Sequence, residues 1–341
     1  MVVVWIAFLV FIFLLLALDL GVFHRKAHVV SPREGLAWSM VWTTLSLAFA
    51  GFIFLAYDNQ WFGLGTIPDP VDRSAANPYG SVNDGGSAVL KYLTGYVVEQ
   101  SLSIDNMFVI AMLFRFFAVP AAFQHRVLFW GILGALALRG VMIAVGAALV
   151  TQFSWILYIF GGFLILTAGK MLFMDVEESD PRQNVVVRLT RRLFPVTKRY
   201  YGQKFVVRRG GRWLLTPLAL ALVMVETTDV IFAVDSIPAI FAITADPFLV
   251  FASNAFAILG LRSLYFVLAG ALVAFRYLKV SLAIVLAMVG MKMLAHDWLK
   301  EVLGEYFNLY MLAAILLVLS AGTIASLLVT IVEKRPAHDE G

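Results

Sequence analysis

VMVETTDVIFAVDSIP, residues 223–238, sets Glu226, Asp229 and Asp235 inside a stretch otherwise apolar enough to cross a membrane. A second stretch, VVEQSLSIDNMF at 97–108, adds Glu99 and Asp105, and the first apolar segment carries Asp19. A carboxylate in hydrocarbon costs roughly 2.5–3.5 kcal/mol on insertion scales, so such residues mark an ion path or a paired charge. Two acidic helices facing each other in a bilayer would make a cation site.

Working outward, runs of 18 or more apolar residues recur along all 341 residues, 61% of which are hydrophobic. That is the signature of an all-α polytopic membrane protein. About nine spans are expected, near 2–22, 36–57, 88–114, 126–149, 153–174, 214–240, 247–270, 277–297 and 308–332. The first lacks a basic leader and a small-residue cleavage site and reads as a retained helix. Arg25, Lys26, Arg33, Arg115, Arg126, Arg276, Lys279, Lys334, Arg335 and ten basic residues within 175–213 all fall on one side if the N-terminus is outside and the C-terminus inside. The positive-inside rule then places that side in the cytoplasm, at a bacterial inner membrane. The net charge of +4 is thereby a topology signal, and no nucleic-acid partner is implied. The chain has no cysteine, which excludes thiolate ligands and thiol redox chemistry.

The fourth and fifth spans resemble the seventh and eighth. Arg139 matches Arg262, Lys170 matches Lys292 with one gap, and EQSLSIDNMFVI matches DVIFAVDSIPAI. Spans three to five thus repeat as six to eight. An odd number of crossings per unit makes the second copy inverted, as in many secondary transporters. The chain divides into 1–87 (two helices and an external loop), 88–174 (first repeat), 175–213 (basic cytoplasmic loop), 214–297 (second repeat) and 298–341 (external loop, last helix and tail). The basic loop reads as an amphipathic helix on the anionic inner leaflet.

Positions seven apart share a helix face. Glu99 and Asn106 are so related, with Asp105 beside them and Ser103 four residues from Glu99; Asp229 and Ser236 repeat the spacing, with Glu226 a turn before and Asp235 closing the set. Asn254 could add an amide oxygen, Asp19 a further ligand or gate. Pro238 should open the helix after Asp235. Carboxylate, amide and hydroxyl oxygens suit Mg²⁺, Ca²⁺ and Mn²⁺. Met107 and Met224 would tilt such a site toward Mn²⁺ if they ligate, and are lipid-facing or core residues if they do not. His24, His28, His125 and His296 read as solvated or interfacial. The competing reading has Arg139, Arg262, Lys170 and Lys292 neutralise the acids. Four bases against six acids leave two negative charges for a divalent cation or for protons. Lys170 and Lys292 lie near span ends and should snorkel, whereas Arg139 and Arg262 are deeper partners.

At EQSLSIDNMFV (99–109), VETTDVIFAVDSIPAIFA (225–242) and FASNAFAILGLRSLYF (251–266) the chain resembles the TerC family of integral membrane proteins, named from tellurite resistance. The resemblance implies nine spans, a relation to LysE-type exporters with three-helix repeats, and Mn²⁺ efflux through Glu99, Asp105, Glu226, Asp229 and Asp235, with Asn106 and Asn254 beside them.

Export against an inward-negative potential costs about 4.6 kcal/mol per 100 mV for two charges. With no Walker motif in the chain, proton antiport is the expected coupling, and no organic cofactor is needed. An aspartate-dyad hydrolase lacks a nucleophile–base motif, so an enzyme is not expected. The remaining alternative is a membrane module that binds or delivers metal, or responds to stress, without transport.

Overall fold

The computed structural model describes residues 2–18, 31–72, 77, 79–153, 155–173, 185–197, 199–268, 277–303 and 307–333. The helices are α1 (Val2–Leu18), α2 (Pro32–Asp58), α3 (Gly85–Phe116), α4 (Ala121–Gln152), α5 (Ile156–Phe173), α6 (Val185–Leu193), α7 (Pro217–Phe241), α8 (Pro247–Leu268), α9 (Leu278–Leu294), α10 (His296–Leu303) and α11 (Phe307–Glu333). Two antiparallel ribbons complete the described fold, β1 (Pro68–Asp69) with β2 (Ser81–Val82) and β3 (Val206–Arg209) with β4 (Arg212–Leu215). Seven of these helices, α2, α3, α4, α5, α7, α8 and α11, are long and apolar enough to cross a membrane. The apolar α1 is shorter, and α9 also has 17 residues. This is a multi-pass, all-α membrane protein.

Helix starts follow local chemistry. Ser31 Oγ accepts from Glu34 N (3.2 Å) ahead of Pro32, and Asp84 Oδ1 accepts from Ser87 N (2.7 Å). Thr216 caps α7 ahead of Pro217 in the same way. These side chains satisfy amides that the first turn leaves unpaired, and proline suits the first position. At the other end, α7 runs on through Pro238 to Phe241. The helix therefore does not open after Asp235, contrary to the sequence expectation; the proline removes one donor and the surrounding helices hold the rest.

The core is a bundle around α8, which is buried along almost its whole length. It packs on α2, α3 and α4, while α4 also packs on α7 and α5 on α9. Trp5 and Phe8 of α1 meet Phe248 edge-on (centroids 5.6 and 5.4 Å) and close the remaining side of α8. At the α5–α9 crossing a Cβ on Gly290 would lie 2.8 Å from Gly161 O, so the backbones touch. Small residues permit such contact between helices in lipid. Gly290→Ala should push α5 and α9 apart and destabilise the protein by about 1–3 kcal/mol, the usual effect of overpacking. An unchanged thermal unfolding midpoint would contradict that.

The basic loop departs from the expected long amphipathic helix. Among its described residues only α6 is helical; β3 and β4 then pair as a hairpin whose central Gly210 and Gly211 both have positive φ (58° and 77°). Such a two-residue turn matches strand twist and needs left-handed backbone. The hairpin is pinned to the bundle: Tyr200 Oη donates to Phe117 O (2.6 Å), and Thr216 Oγ1 to Lys204 O (2.7 Å).

The connection of residues 58–87 is also built. Lys91, in the second turn of α3 and fully buried, donates to Asp69 Oδ2 (2.9 Å), Asp72 Oδ2 (2.6 Å) and Asn83 Oδ1 (2.6 Å). Asp69 also accepts from Thr244 Oγ1, Ala245 N (2.9 Å) and Val71 N (3.1 Å). Nearby, Tyr57 Oη donates to Asp246 Oδ2 (2.8 Å). Burial alone would push the Asp69 carboxyl up, but the Lys91 ammonium and the donors from Thr244, Lys91 and Ala245 together hold it below the ordinary carboxylate range. Asp246, buried with fewer donors and facing Asp69, is raised.

Candidate metal centre

Four helices converge on the guanidinium of Arg139. It forks onto Asp229 of α7, Nε to Oδ2 (3.2 Å) and Nη2 to Oδ1 (3.0 Å). Its Nη1 donates to Glu99 Oε1 of α3, Asn254 Oδ1 of α8 (3.1 Å) and Ser236 Oγ of α7 (3.4 Å). Ser103 Oγ donates to Glu99 Oε1 (3.0 Å), and Asn106 Nδ2 to Asp229 Oδ1 (3.1 Å). All of these side chains are buried. The seven-residue spacings thus do place Glu99 with Asn106, and Asp229 with Ser236, on the faces that meet. Asn254 gives its amide to Val250 O (2.8 Å), which aims its oxygen at Arg139.

Two carboxylates around one guanidinium leave the cluster one negative charge in excess when both are ionised. Two of its buried oxygens, Glu99 Oε2 and Asn106 Oδ1, have no hydrogen-bond partner. Buried carboxylate and amide oxygens are ordinarily satisfied, so such orphans point to an additional cation or proton. The donor set, carboxylate plus amide plus hydroxyl, fits a hard divalent ion.

The other expected ligands are divided among different faces. Asp105 and Asp235 stand six residues beyond Glu99 and Asp229, about 240° around a helix, and so leave the shared face. Asp235 accepts from Thr167 Oγ1 of α5 (3.3 Å) and feels Lys170, whereas Asp105 feels Lys279 of α9. Glu226 lies against α4 at Gly134, where an added Cβ would fall 2.0 Å from its Oε1; its Oε2 is buried without a partner. Among the described residues no three His, Asp or Glu side chains gather closely enough to hold a metal ion. A metal at this centre must therefore draw on the neutral oxygens of Asn106, Asn254 and Ser236 as well as on Glu99 and Asp229. Met107 and Met224 are packed in the hydrophobic core. Asp19 lies outside the described residues.

Of the basic residues, Arg139 is the partner that its depth implied, Arg262 is buried on α8, and Lys170 is exposed. Lys292 is the exception to the snorkelling expectation. It is buried, donates to Asn308 Oδ1 (3.4 Å) and lies 5.0 Å from the Phe307 ring centre. The cause is tertiary, since α10 and the start of α11 cover the end of α9. Sequence reasoning missed Lys91 altogether, although a lysine two turns into the apolar stretch GGSAVLKYLTGY is itself a sign of a buried partner.

The family model described as integral membrane protein TerC family matches residues 84–334, which include all four helices of the cluster. The chain belongs to the TerC family. This TerC protein is 47% identical over 296 residues to an uncharacterized membrane protein of Myxococcus xanthus, covering 87% of this chain and 84% of the relative. It is 45% identical over 295 residues, 86% of each, to a protein of Escherichia coli K12, Alx, whose name proposes a membrane-bound redox modulator. A Rickettsia bellii membrane protein is 38% identical over 313 residues, covering 92% of this chain and 94% of the relative. No solved structure matches.

Proposed function

We propose that this TerC protein is a secondary transporter that exports divalent cations, Mn²⁺ foremost, across the bacterial inner membrane in exchange for protons. The observation that carries the reading is the Glu99–Arg139–Asp229 cluster, buried, one negative charge in excess and holding two unpartnered oxygens. Intramembrane acids of this kind are functional by default. The proposed architecture has nine spans, N-terminus outside and C-terminus inside, with α3–α5 and α7–α9 as inverted repeats. The packing supports the repeat: α3 lies on α8 as α4 lies on α7, the exchange expected of a pseudo-two-fold axis. In this scheme Asp105 and Asp235, set on the α9 and α5 sides, flank the centre along the ion path. The choice of Mn²⁺ over Mg²⁺ or Ca²⁺ rests on the family resemblance.

The second reading, a module that binds or delivers metal or answers stress without transport, uses the same centre. The name of the Escherichia coli relative favours it, although a redox role here would have to work without a single cysteine. The deciding experiment is Mn²⁺ flux by the purified protein in liposomes, wild type beside Glu99→Gln, with and without an imposed pH gradient. Transport predicts flux that the substitution removes and the gradient drives. A folded wild type that binds Mn²⁺ but carries none would establish the second reading instead.

A further inference from the structure

Arg139 occupies the very oxygens that a divalent ion would need. Its donors reach both oxygens of Asp229, Oε1 of Glu99, Oδ1 of Asn254 and Oγ of Ser236. We infer that the Arg139 guanidinium is a tethered substitute for the transported cation: it fills the centre in the unloaded protein, and metal and guanidinium exclude one another. This rests on the reading of that centre as the metal site.

Charge makes the two occupants alternatives. Glu99 and Asp229 together carry two negative charges, which one dication neutralises. A dication added beside Arg139 would leave a net positive charge in a buried site, where opposing charges are weakly screened. Space makes the same point, because the fork on Asp229 uses both carboxylate oxygens.

The structure also supplies a second seat for the guanidinium. Glu226 lies one turn before Asp229 on α7, its carboxyl against Gly134 of α4 and its Oε2 buried without a partner. Gly134 precedes Arg139 by five residues, about 7.5 Å along the helix axis. A helical side chain leans toward the N-terminus of its own helix, the end on which Gly134 lies. Gly134 stands about 140° around α4 from Arg139, so the guanidinium reaches Glu226 by swinging sideways from Asp229, one turn along α7. Loading then consists of metal taking Glu99 and Asp229 while Arg139 turns to Glu226. Unloading reverses it, and the emptied carrier is never left with two bare buried carboxylates. Glu226 is thus a positioning residue acting through Arg139, and not a metal ligand.

The test is Mn²⁺ binding by calorimetry to the full-length protein in detergent, for wild type, Arg139→Ala and Glu226→Gln. Without its internal competitor, Arg139→Ala should bind Mn²⁺ at least about tenfold more tightly, a difference of one decade in Kd. Free guanidinium ion should compete with Mn²⁺ in Arg139→Ala, beyond a matched sodium chloride control, and should not do so in wild type. If Arg139→Ala unfolds alone, guanidinium added during purification should restore the folded protein, and failure to restore it counts against the inference. Glu226→Gln should bind Mn²⁺ more weakly than wild type, because the displaced guanidinium loses its anionic seat. Arg139→Ala binding no more tightly than wild type, or indifferent to guanidinium, overturns the substitute-cation role; Glu226→Gln with wild-type affinity overturns the second seat. Either result beside normal wild-type binding and flux leaves the transport reading standing. A wild type that neither binds nor carries Mn²⁺ overturns both.

Discussion

Asp229→Asn will lower Mn²⁺ flux by at least about 100-fold, because a dication and a carboxylate roughly 4 Å apart attract by up to about 8 kcal/mol at an effective dielectric near 20, and tenfold in affinity needs only about 1.4 kcal/mol. The substitution leaves Glu99 as the one charged ligand at the centre, so a dication that displaces Arg139 there keeps one uncompensated positive charge. The same change breaks a buried bidentate pair from one side. Asn can accept through its oxygen, but its amide faces an Arg139 donor that previously met Asp229. Removing one partner of a buried pair commonly destabilises by about 3–5 kcal/mol. Flux must therefore be normalised to folded protein, checked by gel filtration. Asp229→Asn that folds and still carries Mn²⁺ at the wild-type rate would remove the cluster from the mechanism.

The second large effect is expected at the Lys91 cluster. Lys91→Met keeps the length of the side chain but leaves Asp69, Asp72 and Asn83 without the ammonium they share. Asp69 is the critical one, being fully buried and tied to Thr244 and Ala245 between α7 and α8. A loss of about 3–5 kcal/mol is expected, as for other buried charges stripped of a partner. Lys91→Met combined with Asp69→Asn should be less damaging than the two single losses added, the mark of direct coupling. The pH dependence has a definite sign. A carboxyl held below its ordinary value near 3.9 stabilises fully above that pH and loses its contribution as pH falls through the folded value. Without the ammonium, burial pushes the Asp69 carboxyl of Lys91→Met up. The gap between wild type and variant should therefore be widest where Asp69 is ionised in both and shrink as pH falls through the variant's raised value. A gap that widens on acidification would contradict the assignment.

Where local geometry decides, the residues were readable in advance. Glu99 with Asn106 and Asp229 with Ser236 follow from the helical period alone, and the depth of Arg139 marked it as a true partner. The same period, applied strictly, removes Asp105 and Asp235 from that face, since six residues are not seven. Which acids Arg139 would choose was not legible, because that depends on how α3, α4 and α7 pack. Lys292 failed for a related reason: its place near a helix end suggested water, and α10 and α11 cover it. In the basic loop, Gly210-Gly211 between the short segments VVRR and RWLL was the turn signal, overshadowed by the arginines on either side. The 58–87 connection looked irregular by composition, yet Lys91 and Asp69 organise it across 22 residues and a change of element.

The enclosure of α8 sets a condition on how the chain can be assembled. A helix bearing Asn254 and Arg262 is poorly suited to sit in lipid on any side, and in the finished protein it scarcely does. Its neighbours α2, α3 and α4 emerge from synthesis earlier and can receive it. The last wall, α1, is made first of all, and must wait in the bilayer until α8 arrives some 230 residues later. Its sequence, VVVWIAFLVFIFLLLAL, is apolar around the full circumference, which lets it wait without penalty. The aromatic contacts of Trp5 and Phe8 with Phe248 are then the closing step of biogenesis, a long-range event sealing a helix that the membrane itself would not have kept.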